Sequence, residues 1–191
     1  MLAICVCGYM RSFRSVTPKL FASLIIPPTW TVHVYVQTES VLGIKSCVQK
    51  ILKTPKTTLT FADLQTVYGP ALIHTNIETE ETEEWIALRE QTRARLPFIS
   101  NSTLQRHVKQ WYHRKKAVSA VAAAPFVYDA IYLCRADMYP QEPIDIAASI
   151  ASPILWRRSE YVFLASVPIM VRLCNLIDVY GSYFPLTTEC L

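Results

Sequence analysis

The sequence predicts an α/β fold, a mostly parallel sheet flanked by helices, and three observations predict it. The chain opens on an unbroken apolar run, Leu2-Ala-Ile-Cys-Val-Cys7, stopped by Gly8. A run without alternation suits a strand buried on both faces, as in the centre of a parallel sheet. A second strand, Trp30 to Gln37 (WTVHVYVQ), is rich in β-branched and aromatic residues. Helical stretches follow each of them, and strand-helix-strand-helix within about fifty residues implies a βαβ layout with a parallel sheet.

Each remaining element has its own signal. Thr17 caps a short helix running through Phe21 to Ile25, which Pro27-Pro28 ends. Val41 to Leu52 carries apolar residues at 41, 44, 48, 51 and 52, a helical spacing. Short strands near Thr58–Phe61 and Leu72–Ile77 flank the turn Tyr68-Gly69-Pro70. The acidic stretch from Glu78 (ETEETEEW) reads as a solvated first helical turn, its carboxylates favoured at the positive end of the helix dipole. Pro97 stops that helix, and Ser100 or Asn101 caps a longer one. Its stripe is 104, 108, 111, 112, 115/118 and 121, with Arg106, Lys109, His113, Arg114 and Lys116 around it. A strand from Tyr128 to Arg135 follows. After it come a short helix near Ile144–Ile150, strands near Ile154–Trp156 and Val162–Leu164, and a helix from Val167 to about Tyr180.

Composition narrows the function classes. At 191 residues with 51% hydrophobic and 18% charged residues, the chain suits one domain, 1–191, with a real core and no disordered tract. No apolar stretch is long enough for a membrane span, since Pro125, Asp129, Arg157 and Arg158 interrupt the best candidates. Arg11 and Arg14 arrive too early for a secretory signal, so a cytoplasmic protein is expected. A net charge of +4 permits an anionic ligand but falls short of a nucleic-acid-binding surface. The six cysteines form no C-x-x-C pair, so reduced core thiols are expected rather than disulfides or zinc. The four histidines, at 33, 74, 107 and 113, have no partner at metal-ligand spacing and read as structural.

In open α/β sheets, ligands bind beyond the carboxyl ends of the strands. Three segments fall there. Gly8 to Arg14 combines a turn-forming glycine, an aromatic ring and two arginines. Tyr9 can stack on a base and Arg11 or Arg14 can hold a diphosphate, the alternative being an ordinary turn with solvated arginines. Gln37-Thr38-Glu39 ends the second strand. Arg135-Ala136-Asp137 ends the later one, where a carboxylate can hold a hard divalent cation or simply form a surface ion pair. Neither G-x-G-x-x-G nor G-x-x-x-x-G-K-S/T occurs, which disfavours dinucleotide oxidoreductases and P-loop enzymes. No G-x-S-x-G elbow is present either.

In order and spacing these segments resemble small GT-A-like (Rossmann-like) glycosyltransferase domains, including those encoded by large DNA viruses of the chlorovirus type. The resemblance covers most of the chain. It rests on Gly8, Arg11, Ser12 and Phe13 (G-x-x-R-S/T-F), on Gln37-Thr38, on Tyr68-Gly-Pro70 and on the helix Gln110-Trp-Tyr-His-Arg-Lys-Lys-Ala117. It continues through Tyr128-Asp-Ala-Ile-Tyr-Leu-Cys-Arg-Ala-Asp137, Ala165-Ser166, Met170, Tyr180 and Glu189. It implies transfer of a hexosyl or deoxyhexosyl group from a nucleoside-diphosphate sugar, a UDP-sugar first, to a glycan or other hydroxyl acceptor. It also implies a cytoplasmic setting, the host's for a viral member.

On that resemblance Gly8, Tyr9, Arg11, Arg14, Gln37, Thr38, Tyr112, Lys116 and Arg135 belong to the donor site. Asp137 stands where the metal-binding carboxylate of D-x-D stands, for Mn2+ or Mg2+, but Arg135 replaces the first aspartate of that motif. Glu189 is the first candidate for the catalytic base and Asp178 the second. The incomplete acceptor half implies one domain of a larger enzyme or a small acceptor. The alternative function is a catalytically idle module that binds a nucleotide sugar or serves assembly.

Overall fold

A computed structural model describes residues 1–10, 12–42, 57–151, 156–157 and 162–176. Its centre is β1 (Leu2–Cys7), buried along its whole length as the opening apolar run requires. β1 pairs in parallel with β3 (Val32–Glu39) on one side and with β7 (Ala130–Arg135) on the other. β6 (Leu72–Glu78) pairs in parallel outside β3. β10 (Phe163–Ala165) runs antiparallel to β7, and β9 (Trp156–Arg157) antiparallel to β10. The order is therefore β6-β3-β1-β7-β10-β9, an α/β architecture with a mostly parallel sheet. Two small pairs accompany it: β2 (Leu24–Ile25) with β8 (Ile144–Asp145), and β4 (Val41–Leu42) with β5 (Thr57–Thr58).

Alternation along β1 divides the core in two. Leu2, Ile4 and Val6 face a cluster that includes Phe13 and Leu20 of α1 (Phe13–Ala22), Leu64 and Tyr68 of α2 (Phe61–Tyr68), and Ile146 of α5 (Ile146–Ile150). Ala3, Cys5 and Cys7 face Ala117, Val118 and Val121 of α4 (Lys109–Ala122) and Met170 and Cys174 of α6 (Val167–Asn175). Helices thus cover both faces. Cys5, Cys7, Cys134 and Cys174 are buried free thiols, and burial pushes each of them up in pKa. A third, smaller cluster joins Trp85 of α3 (Glu83–Arg95) to Leu104, Val108 and Tyr112.

Several elements differ from the sequence reading for identifiable reasons. Thr17 reads as the cap of this helix, yet α1 begins at Phe13 and carries Pro18 inside it. The earlier start buries both Phe13 and Leu20 on the sheet, and Thr17, itself buried, donates to the Tyr68 hydroxyl at 3.3 Å. A strand was expected up to Phe61, but that residue opens α2. Thr60 and Asp63 form a reciprocal capping box there, with Asp63 N donating to Thr60 Oγ1 at 3.3 Å and Thr60 N to Asp63 Oδ2 at 2.9 Å.

The long helix starts at Ser100, whose Oγ accepts from Thr103 N at 3.1 Å, and passes through a π-helical turn, Leu104–Val108, before α4. That extra residue per turn rotates the buried face, so Lys109, His113 and Arg114 point inward instead of flanking the stripe. The helical reading of Val41 to Leu52 meets a short strand at Val41–Leu42, and its remainder lies outside the described residues. So do residues 154–155 of the expected strand and the end of the last helix beyond Leu176.

Candidate functional site

The sheet order reverses at β1, because β3 and β6 extend to one side and β7 returns on the other. The crevice beyond the carboxyl ends of strands at such a switch point is where open α/β sheets bind ligands. Cys7 lies in register with Gln37 on one side and Arg135 on the other. The segments following β1, β3 and β7 therefore emerge side by side.

Gly8 turns the chain at φ +91°, a conformation costly for any residue with a side chain. β3 clamps the turn from both ends. Gly8 N donates to Gln37 O at 3.1 Å, and Thr38 Oγ1, fully buried, donates to Gly8 O at 2.8 Å. A Cβ at Gly8 would find Gln110 Nε2 no nearer than 4.0 Å, so dihedral strain rather than crowding demands glycine. Gly8→Ala is expected to destabilise the fold by about 1–3 kcal/mol, read from the urea midpoint. A midpoint equal to the parent's would mean that the turn is not clamped. Met10 drops back into the core while Tyr9 stays 41% exposed, so the turn presents one aromatic ring outward.

Arg135 and Asp137 face each other across their own turn. Arg135 Nε donates to Asp137 Oδ1 at 2.8 Å and Nη2 to Oδ2 at 2.6 Å. Their side chains are 20% and 19% exposed, at the rim of the sheet end rather than inside it. Both carboxylate oxygens thus accept from one guanidinium. A hard divalent cation needs several oxygen ligands, and among the described residues no group of three or more His, Cys, Asp or Glu side chains could hold a metal ion. Among the described residues, then, Asp137 offers one carboxylate already engaged by Arg135, which does not by itself fit Mn2+ or Mg2+.

The other expected site residues either hold contacts within the scaffold or lie outside the described residues. Gln37 is buried and spends its amide on Glu78, donating from Nε2 to Oε1 at 2.8 Å. Arg14 pairs with Asp63 and lies over the Phe13 ring, tying α1 to α2. Hydrogen bonds from Thr60, helped by the charge and hydrogen bond of Arg14, outweigh desolvation and hold the Asp63 carboxyl below its ordinary range. Tyr112 packs on Trp85 with ring centroids 5.8 Å apart and shares a 2.7 Å hydrogen bond with the Thr82 hydroxyl. Burial pushes its phenol up to about 12. Lys116 pairs with Glu84, so α3 engages both Tyr112 and Lys116. Arg11, Asp178 and Glu189 lie outside the described residues.

One group at this end of the sheet escaped the sequence reading. Glu78 is the buried last residue of β6, not part of a solvated helical turn. Its carboxylate accepts from Gln37 and from His113 Nε2, the latter at 3.3 Å. Lys109, one turn before His113, pairs with Glu39 at the end of β3 and stands 5.4 Å above the Trp85 ring. The Lys109/His113 spacing of four was the legible signal, since it stacks both side chains on one helix face. Nothing local, however, marks that face as the inward one.

Among the described residues no helix is long and apolar enough to cross a membrane. No protein-family model matches the chain, and no curated protein matches it.

Proposed function

We propose that this chain is a glycosyltransferase that takes a sugar from a nucleoside-diphosphate donor, a UDP-sugar first, to a hydroxyl acceptor. The observation that supports it best is the convergence at one switch point of Gly8-Tyr9 and Arg135-Ala136-Asp137, segments distant in the chain. In this reading the Gly8 turn lets the backbone approach the nucleotide, and Tyr9 stacks on the base. Arg135 stands beside the diphosphate, whose departing charge must be stabilised for the glycosidic carbon to be attacked. The base that takes the acceptor proton is Glu189 or, second, Asp178.

A thermal-shift panel of UDP-, GDP- and CMP-sugars tests the reading, with UDP-sugars expected to raise the melting temperature most. Stacking on an aromatic ring is worth about 1–3 kcal/mol per base, so Tyr9→Ala is expected to weaken UDP binding by about tenfold. A panel without any shift would sink the proposal. The second reading, a module that binds donor without turning it over, is favoured by Arg135 occupying the place of a carboxylate. Saturable UDP-sugar binding with neither hydrolysis nor transfer across an acceptor panel would select it.

A further inference from the structure

We infer that the cationic group for a diphosphate at this switch point is the Arg135 guanidinium, held in place by Asp137, and that binding there needs no divalent cation. The diphosphate comes from the function proposed above; the metal-free character rests on the pair itself.

Asp137 meets Arg135 through the Nε and Nη2 edge of the guanidinium, two parallel hydrogen bonds of 2.8 and 2.6 Å. Such a fork fixes the plane of a five-donor group that suits phosphate oxygens. A cation on Asp137 would have to displace those bonds and then sit against the displaced positive charge, with no cluster of further ligands among the described residues to offset the loss. Position favours the same assignment. Arg135 closes β7 in register with Cys7, one residue before the Gly8 turn, and its partial exposure keeps it within reach of a ligand. Asp137 is on this account a positioning residue. Its substitution loosens the guanidinium without removing the charge.

Calorimetry on the full chain, with inorganic pyrophosphate and with manganese chloride as separate probes, tests this. Pyrophosphate is expected to bind in the presence of EDTA. Arg135→Gln should weaken that binding by about tenfold or more, whereas Asp137→Asn should stay within about threefold. Arg135→Lys, which keeps the charge but loses the fork, should fall between them, and guards against misfolding of the glutamine variant. Manganese alone should give no saturable heat that Asp137→Asn removes.

Manganese binding abolished by Asp137→Asn would overturn the inference. So would pyrophosphate binding that appears only with manganese, that is absent under both conditions, or that survives in a folded Arg135→Gln protein. The sugar reading fails separately. Pyrophosphate binding that follows Arg135 in a protein that binds no nucleotide sugar would leave the anion site standing and remove the donor.

Discussion

Glu78→Ala is expected to lower the unfolding free energy by about 3–5 kcal/mol, the loss typical of breaking a buried charged pair from one side. Glu78 is only 7% exposed, and its carboxylate accepts from two side chains, Gln37 at 2.8 Å and His113 at 3.3 Å. Removing it leaves a buried amide and a buried imidazole without that acceptor, and each such group carries its own desolvation penalty. Denaturant titration followed by circular dichroism measures the loss. A loss below about 1 kcal/mol would place Glu78 among solvated surface pairs and refute its role as a buried acceptor.

The same carboxylate predicts a pH dependence. Burial alone would raise its pKa, but the hydrogen bond and charge of His113 and the charge of Lys109 outweigh burial and hold it below the ordinary value. The unfolded chain therefore takes up this proton at a higher pH than the folded one. The Glu78 contribution is complete above the ordinary carboxyl value of 4.5 and is lost as pH falls through the lower folded value. Asp63, Glu81 and Glu84 are also held low, by Thr60, Arg89 and Lys116 respectively, so they add slope of the same sign. Glu78→Gln isolates the buried carboxylate: the variant should lose part of the parent's dependence on pH below neutrality. A slope identical to the parent's would refute it.

Trp85→Ala is the second large effect, at about 3–5 kcal/mol for truncating a fully buried indole. The ring joins α3 to the long helix through Leu104, Val108 and Tyr112, and its Nε1 donates to Glu81 at 3.1 Å. It also lies under Lys109, the partner of Glu39 at the end of β3, so the damage is expected to reach the sheet end. Trp85→Phe keeps an aromatic body under Lys109 and should cost clearly less than the alanine variant. Equal losses for the two variants, measured by the same titration, would assign the whole effect to the Glu81 hydrogen bond.

Much of the scaffold was legible because it rests on short-range pattern. The unbroken run at Leu2–Cys7 demanded burial on both faces, and β1 became the centre of the sheet. The strands ending in Gln37 and Arg135 and the helix after Ser100 followed from residue type and period. The start of α2 was also written locally, as Thr60-Phe-Ala-Asp63, but a strand reading of Thr58–Phe61 passed over the capping box. α1 was harder. Thr17-Pro18 is a good local start, and only the gain from placing Phe13 on the sheet overrides it.

By itself, then, the sequence determined the central strands, most of the helices and the burial of β1 on both faces, because these follow from spacing along the backbone. Only the tertiary structure decided which polar groups meet. Gln37 and His113 belong to Glu78, Lys109 belongs to Glu39, and Thr38 belongs to the Gly8 turn. Most of these pairings join residues from different strands and helices, and the register between strands sets them. A polar side chain reads as solvated from its own segment, and becomes a buried partner only when a distant element supplies the matching donor or acceptor.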